Sequence, residues 1–206
     1  MTISKNDIDF LRSELSKYIS GKRLTHSLAV EEEAANLGKL FSLSAVTINK
    51  LRICAILHDI TKEKNTDEQI ALCHELGYKV KPEDICSPKV FHSITGALLA
   101  KKLYGALVCN TIFNGIKYHT TGREKMTLFE KLIYLADYIE PTRTFEDCVK
   151  LREFFYNTDK FTEEHLNNTL ILSYDMTINN LLDEGKCVHS ATIKTRNSLI
   201  CERNNK

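Results

Sequence analysis

A histidine and an aspartate stand side by side where an apolar run ends, in segment 51–62 (LRICAILHDITK). Burying a titratable side chain without a partner is costly, so both His58 and Asp59 need partners there. A neutral imidazole nitrogen beside a carboxylate is half of a site for a divalent transition metal. The pair therefore predicts that other segments supply further ligands.

Other titratable residues interrupt apolar, helix-like surroundings in the same way: His26, His92, His119 and Asp137. Asp137 follows LIYLA, so a carboxylate replaces an apolar residue deep in a core-like helix, where an unpaired aspartate is rare. Pairing with Arg143 or Lys131 is the alternative to metal binding. Any one of the histidines, taken alone, is more often an ordinary core or surface residue, and spacing does not prove convergence. Nitrogen and carboxylate ligands together suit iron, manganese or zinc better than magnesium.

Composition limits the classes of protein. With 206 residues, 43% of them apolar and 27% charged, the chain has the composition of a soluble globular domain. A net charge of +1 gives no reason to expect nucleic acid as the partner. We expect no membrane span and no signal peptide. Seven scattered cysteines without a CxxC pair predict reduced thiols and a cytoplasmic location.

Apolar residues recur at helical spacing almost throughout, and strand-like alternation is scarce. The loop-like segment 78–90 carries both Pro82 and Pro88, while Asp7 is predicted to cap the first helix and Gly21 to end it. We therefore expect a compact all-α bundle that forms one domain over residues 1–206. The predicted helices cover about 6–20, 22–41, 45–58, 67–76, 91–104, 106–119, 127–139, 145–156, 162–184 and 190–203.

Five short segments, in their order and spacing, resemble the HD-domain metal-dependent phosphohydrolases and, within them, the bacterial YqeK group. They are 23–30 (RLTHSLAV), 58–62 (HDITK), 91–93 (FHS), 118–122 (YHTTG) and 135–143 (LADYIEPTR). The resemblance runs from about Lys22 to Arg143 and is weaker over 144–206. It implies an HD-domain bundle whose metal-binding core spans about 22–143, with C-terminal helices at about 145–203 packing on it.

The same resemblance implies a ligand set. His26, His58, Asp59 and Asp137 would bind the first metal, and the pair His92 and His119 resembles the branch that holds a second. Asp59 has two carboxylate oxygens and could bridge both ions; with one ion, the extra histidines would hold phosphate instead. Iron is the first expectation, with manganese or zinc as alternatives. The number of ions, one or two, stays open.

Activity and substrate follow from the resemblance in the same way. The YqeK group is known as symmetrical diadenosine tetraphosphate hydrolases, which release two ADP, so metal-bound hydroxide is expected to attack an inner phosphorus. Asp59, Lys62 and Arg143 are the expected catalytic residues, because Lys62 lies one helical turn after His58 and a guanidinium clamps phosphate. The expected substrate-binding residues are Arg23, Lys62, Glu63, Lys64, His92, His119, Thr120, Asp137 and Arg143.

Several alternatives stay open at this point. Another nucleotide phosphohydrolase of the HD superfamily is one, although ITKEK follows the HD pair where the guanosine tetraphosphate hydrolases carry Glu-Asp, and no GYP motif of the cyclic-di-GMP phosphodiesterases occurs. A catalytically silent nucleotide-binding regulator is another, and a purely structural helical protein is a third. The C-terminal segment 180–185 is a weak candidate for nucleoside contacts. A homodimer is an assembly to be tested.

Overall fold

The computed structural model describes residues 3–204, and in this part of the chain all regular secondary structure is helical. The α-helices are α1 (Lys5–Leu15), α2 (Gly21–Leu40), α3 (Ala45–Leu57), α4 (Thr66–Glu75), α5 (Pro82–Cys86), α6 (Phe91–Tyr104), α7 (Asn110–Tyr118), α8 (Leu128–Ile139), α9 (Glu146–Tyr156), α10 (Glu163–Asp183) and α11 (Ser190–Asn204). Short 3₁₀ turns cover Pro88–Val90 and Gly105–Leu107. The predicted all-α class is confirmed.

The predicted start and end of the first helix were wrong. Ser4, not Asp7, is the N-cap of α1: its hydroxyl accepts from the Asp7 amide, and the Asp7 carboxylate accepts from the Ser4 amide in return. The helix ends at Leu15, and Gly21 begins α2 with a φ of +47° that suits a residue without a side chain.

Segment 78–90 is not only a loop, as its two prolines had suggested. Pro82 occupies the first turn of α5 and Pro88 that of a 3₁₀ turn, because proline is tolerated where the backbone N–H has no helical partner. This short structured segment leads directly into α6 and so determines where α6 begins.

Helix α3 lies at the centre of the bundle, as its apolar sequence predicted. It packs against α1, α2, α7 and α8. Its second half is fully buried, through Leu51, Ile53, Cys54, Ala55, Ile56 and Leu57. His58 caps the C-terminus of α3. The predicted metal ligands His58 and Asp59 therefore lie at the end of the most enclosed helix of the fold.

A buried carboxylate holds the first three helices in register. Glu31 of α2 is 1% exposed and accepts from Arg12 of α1 at 2.7 Å and from Arg52 of α3 at 2.8 Å. Two guanidinium groups satisfy the charge that burial would otherwise penalise. The register of α2 against α3 is thereby fixed, and with it the position of His26 relative to His58.

The C-terminal helices cover one side of the bundle. Helix α10 packs on α8, α9 and α11, and Tyr174 stacks on Tyr134 with ring centroids 4.7 Å apart. The Thr195 hydroxyl of α11 donates to the Thr121 carbonyl at 3.0 Å. This contact fixes the turn after α7. Over residues 3–204, no helix is long and apolar enough to cross a bilayer.

A glycine allows α7 to approach α3 and α8. A Cβ atom added to Gly115 would lie 2.6 Å from the Cys54 sulfur and 2.8 Å from the Phe129 ring. His119 directly follows α7, and His58 directly follows α3. Close approach of the helices at Gly115 is therefore a condition for the two imidazole rings to meet, with their centroids 4.9 Å apart.

We expect Gly115→Ala to destabilise the fold by about 1–3 kcal/mol through overpacking. In a free helix the same change would stabilise by about 1 kcal/mol, so the sign of the effect tests the contact. Urea unfolding measures it. Thr111→Ala, at an exposed position of the same helix, is the control and should stay within about 0.5 kcal/mol of wild type. A Gly115→Ala protein as stable as wild type would contradict the close approach.

Candidate metal centre

The structure brings all six predicted metal ligands together. Each lies at a helix end or on a buried helix face: His26 on α2, His58 and Asp59 at the end of α3, His92 in the first turn of α6, His119 after α7 and Asp137 on α8. All are buried except Asp137, whose side chain is 19% exposed. Residues separated by up to 111 positions in sequence therefore share one small volume.

The first group forms around Asp137 and one oxygen of Asp59. The Asp137 Oδ1 atom lies 2.9 Å from His26 Nε2 and 3.6 Å from His58 Nε2. The Asp59 Oδ2 atom lies 3.5 Å from His58 Nε2 and 3.9 Å from His26 Nε2. Four side chains thus direct one nitrogen or oxygen each towards a common point.

The second group uses the other oxygen of the same aspartate. Asp59 Oδ1 lies 3.2 Å from His92 Nε2 and 3.6 Å from His119 Nε2. The two imidazole Nε2 atoms are 3.0 Å apart. Asp59 therefore lies between the two groups and presents one carboxylate oxygen to each.

In each of the four histidines of the cluster, the outward ring nitrogen has its own partner. The Nδ1 atoms of His58, His92 and His119 each contact the carbonyl three residues earlier, at 2.6, 2.5 and 2.7 Å. His26 Nδ1 contacts the Glu140 carboxylate at 3.0 Å. An Nδ1–H donated outward leaves Nε2 unprotonated and facing inward, which is the arrangement that orients metal-binding histidines.

The inward-facing atoms fit a divalent metal. His58 Nε2 and Asp59 Oδ1 are buried without a hydrogen-bond partner. In neutral rings with Nδ1–H, the Nε2 atoms of His92 and His119 are both acceptors, so their separation of 3.0 Å calls for a cation between them. Imidazole nitrogen with carboxylate oxygen is a donor set for a transition metal ion.

Three cations surround the carboxylates. Arg23 Nη1 lies 2.7 Å from Asp59 Oδ2, and Arg143 Nη2 lies 2.6 Å from Asp137 Oδ1. Lys62 Nζ lies 3.0 Å from His92 Nε2 and 3.9 Å from Asp59 Oδ1. Of the two partners expected for Asp137, Arg143 is the one found, since Lys131 pairs with Glu202.

The surrounding charges decide the protonation of the cluster. Burial raises the pKa of Asp59 and of Asp137, but the neighbouring His58 ring and Lys62 at Asp59, and Arg143 at Asp137, outweigh it and hold both pKa values well below the usual range. Burial lowers the pKa of His92 and of His119. Ionised carboxylates and neutral imidazoles are the forms that bind metal.

Three other predicted residues lie at the edge of the cluster or outside it. Thr120 is at the edge, because its hydroxyl is 3.2 Å from the Nε2 atoms of both His92 and His119. Lys64 lines a neighbouring cavity of about 360 Å³ with Lys62 and His92. Glu63 points elsewhere: its carboxylate accepts from the Ser20 amide at 2.9 Å and so holds the loop before α2.

A larger, mostly apolar cavity of about 630 Å³ opens beside Thr120. Its walls are the 86–90 segment, α10, the loop after it and the start of α11. Lys89 and Pro88 line both cavities and therefore lie where they adjoin. The weak nucleoside-contact candidate 180–185 contributes several residues to the wall.

Sequence reasoning missed residues that hold the ligands in place. Glu140 is fully buried and accepts from Thr142 as well as contacting His26. Arg152 donates to the carbonyls of Ile139, Glu140 and Arg143, so it fixes the chain that carries Arg143. The signal for Glu140 was its spacing, one helical turn after Asp137 on an otherwise apolar face. Arg152 left no such signal.

An all-helical bundle with a buried cluster of histidines and aspartates is the arrangement expected of an HD-type hydrolase, and comparisons with known proteins agree. The HD domain family profile matches residues 23–142. A Halalkalibacterium halodurans protein named symmetrical bis(5'-nucleosyl)-tetraphosphatase is 32% identical and aligns over 90% of this chain and 93% of its own. The Bacillus subtilis protein of the same name is 31% identical, over 90% and 94%.

A crystal structure shows the same similarity in three dimensions. It is of a Clostridium acetobutylicum protein described as a predicted HD superfamily hydrolase involved in NAD metabolism. That protein is 35% identical, with a TM-score of 0.84 over 98% of this chain and all of the other. The chain belongs to the HD domain family, and the family resemblance seen in its sequence is confirmed.

Glu140 provides a test of how the ligands are positioned. We expect Glu140→Gln to weaken divalent-metal affinity by about 10–100-fold, because the charge that orients His26 is lost while the shape is kept. Titration with Mn²⁺ at constant pH measures the affinity. Glu146→Gln, an exposed residue of α9 paired only with Lys150, is the matched control. Equal affinities for the two variants would show that Glu140 does not act on the site.

Proposed function

We propose that this protein hydrolyses dinucleoside polyphosphates, and that it cleaves diadenosine tetraphosphate symmetrically into two ADP. The observation that carries the proposal is the paired cluster around Asp59, bordered by Arg23, Lys62 and Arg143. The names of the relatives that align over nearly the whole chain support the choice of substrate.

The six predicted ligands would hold one or two divalent metal ions, and Asp59 would offer one carboxylate oxygen to each group of ligands. A bound divalent ion polarises phosphoryl oxygens and lowers the pKa of coordinated water. Arg143 and Lys62 would bind the inner phosphates and offset the negative charge that develops during transfer. Their carboxylate contacts in the cluster keep both cations aimed at the place where the phosphates would lie.

One nucleoside arm would occupy the 630 Å³ cavity, whose volume and mostly apolar lining suit a nucleoside. Thr120 and Lys89 would contact the phosphates at its inner end. Lys64 would contact the substrate's phosphate chain from the smaller cavity, and Arg23 would contact it from the side of Asp59. Glu63 is not retained as a substrate contact, because Ser20 already occupies its carboxylate.

The identity of the metal, the location, the domain and the assembly are part of the same proposal. Iron is the metal we favour, since mixed imidazole and carboxylate ligands suit it, with manganese and zinc as alternatives. A cytoplasmic location is supported by seven free cysteines. We propose that residues 1–206 form one domain, because one hydrophobic core joins residues from Ile3 to Leu199. A homodimer is the assembly to test.

The reaction is tested by product analysis. We expect diadenosine tetraphosphate to yield two ADP with added iron or manganese, and Asp59→Asn to lower the rate by more than about 100-fold, because one change removes an anionic ligand from both groups. Chromatography of the products and metal analysis of each protein measure both effects.

The matched control is Asp67→Asn, an exposed residue in the first turn of α4. It should hydrolyse at the wild-type rate. Release of ATP and AMP would contradict symmetrical cleavage. Nucleotide binding without turnover, whichever metal ion is added, would instead identify a nucleotide-binding regulator.

Lys89 provides a test of the substrate path that does not involve a metal ligand. We expect Lys89→Ala to raise KM about 3–10-fold with little change in kcat, because an exposed cation that binds substrate phosphate is lost. The Lys89 carbonyl, which contacts His92, is unaffected by the change. Lys79→Ala, an exposed lysine that lines neither cavity, should leave KM unaltered. Equal KM values for both variants would remove Lys89 from the path.

A further inference from the structure

Two cysteines 101 positions apart in sequence meet at the wall of the larger cavity. Cys86 ends α5, and Cys187 lies in the loop between α10 and α11. Both residues are exposed and line this wall, and the Cys187 thiol lies close enough to raise the pKa of the Cys86 thiol. The mechanism proposed above uses neither of them.

The two segments that carry these thiols are also joined by other contacts. The Ser87 hydroxyl donates to the Cys187 carbonyl at 3.5 Å, His189 Nε2 lies 3.3 Å from Asp84 Oδ1, and the Ser190 hydroxyl donates to Glu83 Oε2 at 2.5 Å. These polar contacts hold residues 83–87 against the loop before α11, so the two cysteines are carried by segments that are fixed side by side.

We propose that Cys86 and Cys187 form a reversible intramolecular disulfide, which makes the wall of the larger cavity sensitive to oxidation by small disulfides such as oxidised glutathione. The formation of this bond does not depend on the proposed function. Its effect on substrate binding does, because it assumes that the cavity takes a nucleoside arm.

The chemistry is two successive thiol–disulfide exchanges. One of the two thiolates attacks the small disulfide, breaks its S–S bond and releases one small thiol. The other thiolate then attacks the mixed disulfide at the protein sulfur and releases the second. Two protein thiols are oxidised, one small disulfide is reduced, and the two protein protons pass to the released thiols.

The thiolate is the attacking form, and either cysteine can make the first attack because both are exposed. An exposed disulfide between such thiols is of the readily reduced kind that serves regulation. This is compatible with reduced cysteines as the resting state.

The bond would alter the cavity. A disulfide of about 2.05 Å draws the two sulfur atoms closer than hydrogen-bonding distance, so α5 and the loop before α11 move together. Both form the cavity wall, which continues to Lys89 and Thr120. We expect the oxidised protein to show a KM for diadenosine tetraphosphate raised several-fold and a kcat less affected, because neither of the two bridged segments carries a predicted metal ligand.

The test treats the full-length protein with oxidised glutathione and then counts free thiols after denaturation. We expect two of the seven to be lost in wild type, with a Cys86–Cys187 cross-linked peptide in the digest and full recovery on reduction. Cys86→Ser and Cys187→Ser should each accumulate a mixed disulfide at the remaining cysteine of the pair. Cys201→Ser, which removes another exposed cysteine, is the control and should lose two thiols as wild type does.

A stable mixed disulfide at Cys187 in wild type, or cross-linking through another cysteine, would overturn the proposal. The KM of oxidised and reduced protein is compared separately. Equal KM values with the disulfide present would refute its action on the cavity. Thiol counting decides the pairing even if diadenosine tetraphosphate is not a substrate, so failure of the proposed function is recognised independently.

Discussion

The buried carboxylate of Asp59 is the constraint on which the rest of the structure depends. It is 2% exposed, and one of its oxygens has no hydrogen-bond partner. A charge placed so deeply is tolerable only when surrounding groups compensate it. The compensation comes from two cations: Arg23 on α2, 2.7 Å from one Asp59 oxygen, and Lys62 after α3, 3.9 Å from the other. The packing of α3 against α2 therefore serves the charge balance at one residue as well as the core.

Helix termini make this arrangement inexpensive. The last carbonyls of a helix have no helical partner, and a histidine at that end can donate to one of them. His58 and His119 both do so, to Ala55 and Ile116. The bond satisfies an orphan carbonyl, fixes the tautomer and aims Nε2 at the centre. His92 reaches the Lys89 carbonyl of the preceding 3₁₀ turn with the same spacing. One local device thus orients three of the four histidines.

This local device also explains how much the sequence could predict. Titratable residues inside apolar helices, such as His26 and Asp137, or at their ends, such as His58, marked the metal-ligand candidates, and the longer helices followed from periodicity. The bounds of α1 were wrong because two capping candidates, Ser4 and Asp7, lie three residues apart and form one capping box. Arg152 was missed because its backbone partners lie in a turn that has no pattern in the sequence. The cavity was missed because its walls come from segments about 100 positions apart, and no local signal reports such a meeting.

The C-terminal helices have a role of their own beside the metal-binding core. The HD family profile ends at residue 142, yet α10, the loop after it and the start of α11 form one wall of the larger cavity. The predicted metal ligands and the groups proposed to bind phosphate all lie within residues 23–143, so the proposed chemistry and this wall come from different parts of the chain. Thr195 links the two parts, because its hydroxyl fixes the Thr121 carbonyl one residue after Thr120. Changes in the C-terminal third should therefore alter which nucleotide binds before they alter whether it is hydrolysed.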